Sequence, residues 1–157
     1  MFYRKKVFFI YIFINFILIN NVLSQVSKTK FSNEQIIAIT GSYLKKMPGS
    51  PEYLGAKVYV DQKLGKTYQI HLRVNRSREN EGLGFAFDVM LGLEKYFKIP
   101  PKTFVAVLHS DNRSSPPVVC KGDARCAIKH FVEQSINYDE WYKKCISFQK
   151  PDSFPDS

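Results

Sequence analysis

Apolar and polar positions along this chain follow two periods, one of about 3.6 residues and one of two residues, which predict where helices and strands lie. The segment Ser32-Asn33-Glu34-Gln35 is a capping box with Ser32 as the N-cap, and apolar residues recur after it at near-helical spacing. We therefore predict a first helix over residues 33–46, which ends before the turn sequence Pro48-Gly49-Ser50-Pro51.

Residues 57–75 alternate between apolar and polar side chains on either side of Gly65, which predicts a β-hairpin. To place both apolar sets on one face, Val60 must lie opposite Tyr68. The loop then consists of residues 63–65, with Gly65 at the position that needs a left-handed backbone. The same register pairs residues of the other, polar face: Lys57 with His71 and Tyr59 with Gln69.

Beyond the hairpin, the pattern predicts a largely buried helix from Gly84 to Phe97 and a continuous apolar strand from Thr103 to Leu108 that is covered on both faces. Strand, helix and strand within about 45 residues indicate a right-handed parallel crossover. The remaining predicted elements are a short edge strand at residues 118–119 and helices over 124–136 and 138–146. The predicted fold class is α+β, a small mixed sheet with helices packed on it in the order α-β-β-α-β-α-α.

The first 24 residues have the layout of a secretory signal peptide: a cationic start, an apolar run over residues 7–19 and small or modest residues before Gln25. A membrane anchor is the alternative, but this run is shorter than the roughly 20 residues that span a bilayer. We therefore expect a protein that is secreted or periplasmic, with no membrane span after cleavage. Its predicted parts are a leader (1–24), a lead-in (25–31), one globular domain (32–150) and a flexible tail (151–157).

Removal of the leader changes the charge that matters for function. The net charge of +9 falls by the three basic residues of the leader to +6, which favours encounters with an anionic ligand or protein. The lysines are spread along the chain and no run of five basic residues occurs, so no dedicated nucleic-acid arm is predicted. No cofactor is predicted.

Three cysteines, Cys120, Cys126 and Cys145, lie in the last third of the chain. In an oxidising compartment this odd number predicts one disulfide and one thiol, or an intermolecular bridge, and the sequence leaves the pairing open. A bridge from Cys120 to Cys126 would close a small loop, whereas one from Cys126 to Cys145 would join two helices. With His130 the cysteines would form a Cys3His set, but their spacing matches no common zinc module, so no metal site is predicted.

Ligands of open sheets with a parallel crossover favour the crevice beyond the carboxyl ends of the strands. One such end leads into Glu81-Gly82-Leu83-Gly84, where glycine N–H groups at a helix start would approach an anion. A turn with solvated arginines is the alternative, since Phe87 replaces the third glycine of a dinucleotide fingerprint and no P-loop lysine follows. The candidate anion-binding residues are Arg76, Arg78, Gly82, Gly84 and Arg113.

The second strand end carries His109 and Asp111, a histidine with a neighbouring carboxylate, as a general base requires. These two are the candidate catalytic residues. No nucleophile is identified beside them, so a loop histidine without function is the alternative. Two N-glycosylation acceptors, Asn75 and Asn112, flank the same edge. They would carry glycans if the host is eukaryotic.

The polar face of the hairpin is a further candidate surface. His71 is flanked by Gln69 and Arg73, with Lys57 and Tyr59 on the neighbouring strand. Such a face would bind a polyanion or a protein partner, provided that no helix covers it. A solvated outer face is the alternative.

The unit Tyr68-Gln-Ile-His-Leu-Arg-Val74, the apolar helix after it and the segment from Ile99 to His109 resemble the first strand, helix and second strand of DsrE-like sulfur-relay domains. The resemblance covers residues 66–111 and implies sulfur transfer through a cysteine at the end of a third parallel strand. Here a helix and a strand precede the unit, and no cysteine occupies that position.

Together these observations favour an exported, non-enzymatic binding domain with a mild preference for anionic partners. The alternative is a small secreted enzyme, or a sulfur- or thiol-transfer protein, that uses the strand-end edge near His109 or a reactive cysteine. The thiol alternative requires at least one accessible cysteine of low pKa.

Overall fold

The computed structural model describes residues 30–112 and 115–149. In this part of the chain five strands form one sheet in the order β1-β2-β3-β4-β5. The predicted leader, Arg113 and the predicted tail lie outside the described residues. The elements are α1 (Asn33–Lys45), β1 (Glu52–Asp61), β2 (Gly65–Val74), a 3-10 turn (Arg76–Arg78), α2 (Glu79–Glu94), β3 (Thr103–Ser110), β4 (Val118–Asp123), α3 (Ala124–Phe131), α4 (Tyr138–Lys144) and β5 (Ile146–Gln149).

The sheet is mixed, and its single parallel pair is β2 with β3. The other neighbours, β1 with β2, β3 with β4 and β4 with β5, are antiparallel. The α+β fold class is confirmed, with α2 connecting the parallel strands. The predicted edge strand at 118–119 is wrong in position, because β4 extends to Asp123 and lies between β3 and β5. The apolar pattern did not indicate this extension, because residues 121–123 are Lys, Gly and Asp.

The hairpin of β1 and β2 forms with a register that differs from the predicted one by two residues. Asp61 pairs with Gly65, so the predicted opposition of Val60 and Tyr68 is wrong. The Asp61 carboxylate sets the turn by accepting the backbone N–H groups of Lys63 and Leu64, both at 2.8 Å. Gly65 has the expected left-handed backbone, with φ 71°. The two predicted pairs on the polar face are also corrected: Lys57 lies opposite Gln69, and Tyr59 lies opposite Thr67.

A register shift of two residues preserves the face on which every side chain lies, because side chains alternate with a period of two. Tyr68, Ile70 and Leu72 of β2 are therefore buried in the main core, as the alternation predicts. Phe104, Ala106 and Leu108 of β3 lie on the same face and belong to the same core.

Helices α1 and α2 cover this face of the sheet. The capping box of α1 is confirmed, since Ser32 and Gln35 exchange side-chain to backbone hydrogen bonds. The hydroxyl groups of Thr40 and Tyr68 lie 2.7 Å apart and join α1 to β2 inside the core. Helix α2 begins at Glu79, earlier than the predicted start at Gly84. The capping residues of α1 were readable from the sequence, whereas no side-chain cap marks the start of α2.

The disulfide joins Cys126 of α3 to Cys145 at the end of α4 and leaves Cys120 free. Of the pairings that the sequence leaves open, the structure has the one that joins two helices. Trp141 of α4 is fully buried at this corner, with its ring 5.2 Å from that of Phe87 in α2. The corner of α3 and α4 is thereby attached to the main core.

Two glycines of α2 differ in the space around them and provide a matched test of the packing. An alanine Cβ at Gly82 would lie 2.5 Å from Val74 Cγ1, whereas one at Gly84 would meet nothing within 4 Å. We expect Gly84→Ala to raise the free energy of unfolding by about 0.5–1 kcal/mol, because alanine favours the helix. Gly82→Ala is expected to be about 1–3 kcal/mol less stable than Gly84→Ala, because it overpacks the contact between α2 and β2. Urea unfolding of both variants measures the difference, and equal stabilities would contradict the close packing.

Candidate functional site

The two faces of the sheet differ in what packs on them. The main core lies between the helices and one face, whereas Val105, Val107 and Val119 form a separate cluster on the other, to which no apolar helix residue of the described chain belongs. We call this second surface the helix-free face, since no helix of the described residues packs on it. Around the three valines it carries Lys57, Tyr59, Gln69, His71, Arg73, His109 and Lys121.

Four polar side chains cross the helix-free face in one continuous chain of hydrogen bonds. The Tyr59 hydroxyl donates to Gln69 Oε1 at 3.0 Å, and Gln69 Nε2 lies 2.6 Å from His71 Nε2. His71 Nδ1 in turn lies 3.1 Å from His109 Nε2. The chain therefore runs from β1 through β2 to β3 and fixes the positions of both imidazole rings.

The direction of the donors assigns the histidine tautomers. With its oxygen accepting from Tyr59, the Gln69 amide donates from Nε2, so His71 Nε2 must be an acceptor. The neutral ring of His71 then carries its proton on Nδ1 and donates it to His109 Nε2. By the same reasoning, neutral His109 carries its proton on Nδ1. As neutral groups, His71 uses both of its ring nitrogens in this chain and His109 uses Nε2.

Electrostatics also favour the neutral rings. Partial burial, together with charge repulsion from His109 and Lys57, lowers the pKa of His71 to about 4. Burial and the nearby positive charge of Arg73 lower the pKa of His109 as well. Both shifts favour the neutral form of the imidazoles, in agreement with the hydrogen-bond chain.

The structure brings His109 into contact with His71 rather than leaving it in a loop. His71 lies level with Val107, and His109 lies level with Arg73, so the two histidines are diagonal neighbours on parallel strands. Their rings are stacked with centroids 5.4 Å apart. Asp111 lies just beyond β3, where its N–H donates to the Val74 carbonyl at 3.3 Å. The sequence indicated each histidine separately but not their contact. The one indication of the contact was that the alternation of side chains places both histidines on the same face of neighbouring strands.

Two of the candidate anion-binding residues, Arg78 and Gly82, line a cavity of about 170 Å³ at the strand-end edge, together with Arg73. Arg78 donates to Glu81 at 2.8 and 2.6 Å, and Arg73 donates to Glu52 at 2.8 Å. These arginines are therefore already paired with carboxylates.

The expected position of the glycines is corrected. Gly82 and Gly84 lie inside α2, after a first turn that carries Glu79 and Glu81. Intrahelical hydrogen bonds use the N–H groups at these positions, and the acidic first turn repels an anion. Arg76 is in the exposed 3-10 turn, and Arg113 lies outside the described residues.

The cysteines are arranged for structure rather than for thiol chemistry. Cys126 and Cys145 form the disulfide, and Cys120 is fully buried in β4. Burial raises the pKa of the Cys120 thiol to about 12. A thiol that is buried and protonated is a poor nucleophile, which is the opposite of what the thiol-transfer alternative requires.

The first glycosylation acceptor is accessible. Asn75 is exposed, and its side-chain oxygen accepts the N–H and the hydroxyl of Ser77 at 3.0 and 2.7 Å. Asn112 follows β3 and donates its N–H to the Ser110 hydroxyl at 3.2 Å. Glycosylation at either residue stays a prediction.

Comparison with protein-family models, with curated proteins and with solved structures gives no match for this chain. The resemblance to DsrE-like domains therefore stays a prediction. Among residues 30–112 and 115–149, no helix has the length and apolar character to cross a membrane. Within the same ranges, no group of three or more His, Cys, Asp or Glu side chains converges as metal ligands.

The lowered pKa of His71 predicts a pH dependence of stability. Between about pH 6.5 and 4 the unfolded chain binds a proton at this histidine that the folded protein does not bind. Stability is therefore complete above pH 6.5 and is lost as the pH falls towards 4. We expect His71→Gln to remove roughly 1 kcal/mol of the loss between about pH 7 and pH 5, a value reduced because the ring is partly exposed. Urea unfolding at both pH values measures it, and an unchanged loss in the variant would contradict the assignment.

The state of the cysteines predicts a labelling pattern. A maleimide should label no cysteine of the native protein, because Cys120 is buried and the other two are bridged. Denaturation without a reductant should expose one reactive thiol per chain, and Cys120→Ala should remove it. Mass spectrometry counts the labels. Rapid labelling of the native protein would restore the thiol-transfer alternative.

Proposed function

We propose that this protein is an exported, non-enzymatic binding domain that binds an acidic segment of a partner protein on its helix-free face. The observation that carries the proposal is the composition of this face, where an apolar strip of three valines lies beside an ordered chain of polar side chains. The three valines are only 2%, 5% and 3% exposed, so they form the floor of the face, and a partner would contact the longer side chains around them.

The positive charge on this face supports an acidic partner. Lys57, Gln69, Val105 and Lys121 lie level with one another on four adjacent strands. Three strand spacings separate the two lysines, about 14 Å between their backbones. Neither lysine takes part in a salt bridge with a residue of the described ranges. Both ammonium groups can therefore reach carboxylates of a partner on this face, although the charge of Lys121 also acts on Asp61 and lowers the pKa of that carboxyl.

The rigidity of the face also supports binding. Tyr59, Gln69 and the two histidines already make hydrogen bonds to one another, so little side-chain freedom remains to be lost when a partner binds. Tyr59 keeps 37% of its surface exposed and presents an aromatic ring beside Lys57. Aromatic rings at such positions contribute strongly to protein interfaces.

The test compares two double charge reversals of equal net charge. Lys57→Glu/Lys121→Glu changes the helix-free face, and Lys46→Glu/Lys98→Glu changes two exposed lysines outside the sheet. With fluorescein-labelled poly-L-glutamate as the probe, we expect the first variant to bind at least tenfold more weakly than the unaltered protein. The control variant should stay within about threefold, because it keeps the charges that contact the probe.

Fluorescence anisotropy over a range of salt concentrations measures both affinities, and the affinity of the unaltered protein should fall as salt increases. Equal losses in the two variants would show that the probe senses only net charge and would overturn the proposal. Binding that is retained by the first variant would have the same consequence.

A further inference from the structure

The contact between the two histidines supports an inference that does not rest on the proposed function. His71 Nδ1 and His109 Nε2 face each other at 3.1 Å across the parallel strands β2 and β3. We propose that these two nitrogens form a binding site for a divalent transition-metal ion of the class that prefers imidazole ligands, with Cu²⁺ bound most tightly. The hydrogen bond between the rings would be replaced by two metal–nitrogen bonds.

The distance between the two nitrogens suits one shared ion. Metal–imidazole bonds are about 2.0–2.1 Å long, so two nitrogens 3.1 Å apart subtend an angle of about 100° at the ion. This angle lies between that of adjacent positions in a square-planar or octahedral complex and that of a tetrahedral one. The backbones of β2 and β3 therefore hold the two nitrogens at the separation of neighbouring ligands, and each ring turns about its χ2 bond so that its lone pair points at the ion.

The neighbouring side chains supply the support that a metal-bound histidine needs. A ring that binds metal through Nδ1 carries its proton on Nε2 and donates it to a nearby acceptor. Gln69 is at hydrogen-bonding distance from His71 Nε2 and would become that acceptor by rotating its amide. Its NH2 group would then donate to the Tyr59 hydroxyl, whose oxygen now accepts. Metal binding thus reverses the direction of the whole chain, and the Tyr59 hydroxyl, on a side chain that is 37% exposed, turns its proton to solvent.

The protonation state of the rings is also suitable. The hydrogen-bond chain holds both rings as neutral imidazoles, the form that binds metal, with the lone pair of His109 Nε2 directed at His71. His71 only exchanges its proton between its two nitrogens through solvent.

The charges around the site select the class of ion. Lys57 acts on His71 and Arg73 acts on His109, and both oppose a cation, although Glu52 pairs with Arg73 at 2.8 Å. An ion must therefore gain its binding energy from strong bonds to imidazole nitrogen. Cu²⁺ comes first in the Irving–Williams order, while Mg²⁺ and Ca²⁺ prefer oxygen ligands. With two protein ligands the other positions belong to water, which makes the ion exchangeable.

The chain offers a matched control because it has three histidines and the third is engaged elsewhere. His130 stacks on Trp141 with ring centroids 5.3 Å apart, and its Nδ1 lies 3.1 Å from the Ile136 carbonyl. Calorimetric titration of the purified protein with Cu²⁺, in a buffer that does not chelate, should give one ion per chain. His71→Gln and His109→Gln should each weaken binding at least tenfold, whereas His130→Gln should leave it within about twofold.

A measurement on the unaltered protein makes the test independent of whether a variant folds, and a variant that should bind more tightly adds a change in the opposite direction. In the unaltered protein, a titration with Zn²⁺ should shift the imidazole NMR signals of His71 and His109 and leave those of His130 in place. Gln69→Glu should tighten binding, because a carboxylate only accepts and so favours the metal-binding tautomer of His71. Shifts confined to His130, no shifts at all, or Cu²⁺ binding that survives in the His71→Gln/His109→Gln double variant would overturn the proposal.

Discussion

The parallel pairing of β2 with β3 is the constraint on which the rest of this structure depends. Two parallel strands need a connection that crosses the sheet, and α2 supplies it on one side only. Because α2 is apolar on most of its surface, the other elements that need a hydrophobic partner collect around it. Helix α1 packs beside it on the sheet, and the corner of α3 and α4 is attached through Phe87 and Trp141. No helix of the described residues packs on the opposite face, which carries polar and charged side chains around three valines.

The same pairing gives the helix-free face its order. Parallel neighbours place His71 and His109 in diagonal contact, and the antiparallel hairpin adds Gln69 and Tyr59 to the same line. His71 has a partner for each of its two nitrogens and His109 has one for Nε2, and both contacts suit neutral rings. Lys57 lies beside these side chains, and its positive charge disfavours protonation of His71. Hydrogen bonding and electrostatics therefore stabilise one arrangement of the face at neutral pH.

The sequence predicted which side chains share a face but not how the strands align. Alternation with a period of two assigns Tyr68 to the core and His71 to the other side whichever residues are paired. The actual register depends on hydrogen bonds from the Asp61 carboxylate, a local contact that hydrophobic pattern does not report. The meeting of His71 and His109 depends on the alignment of strands joined by a long crossover, which no local signal fixes. Strand β5 was missed because its four residues follow a helix directly and only Ile146 and Phe148 mark it as apolar.

Trp141 is the only tryptophan of the chain and none of its surface is exposed. Its ring contacts Phe131 in α3 and Phe87 in α2, with centroids 5.1 and 5.2 Å away. The tryptophan fluorescence of this protein therefore comes from one buried position where the disulfide-linked corner meets the main core. A shift of this emission to longer wavelength reports the moment at which water reaches that junction, so a single spectroscopic signal follows the separation of the corner from α2.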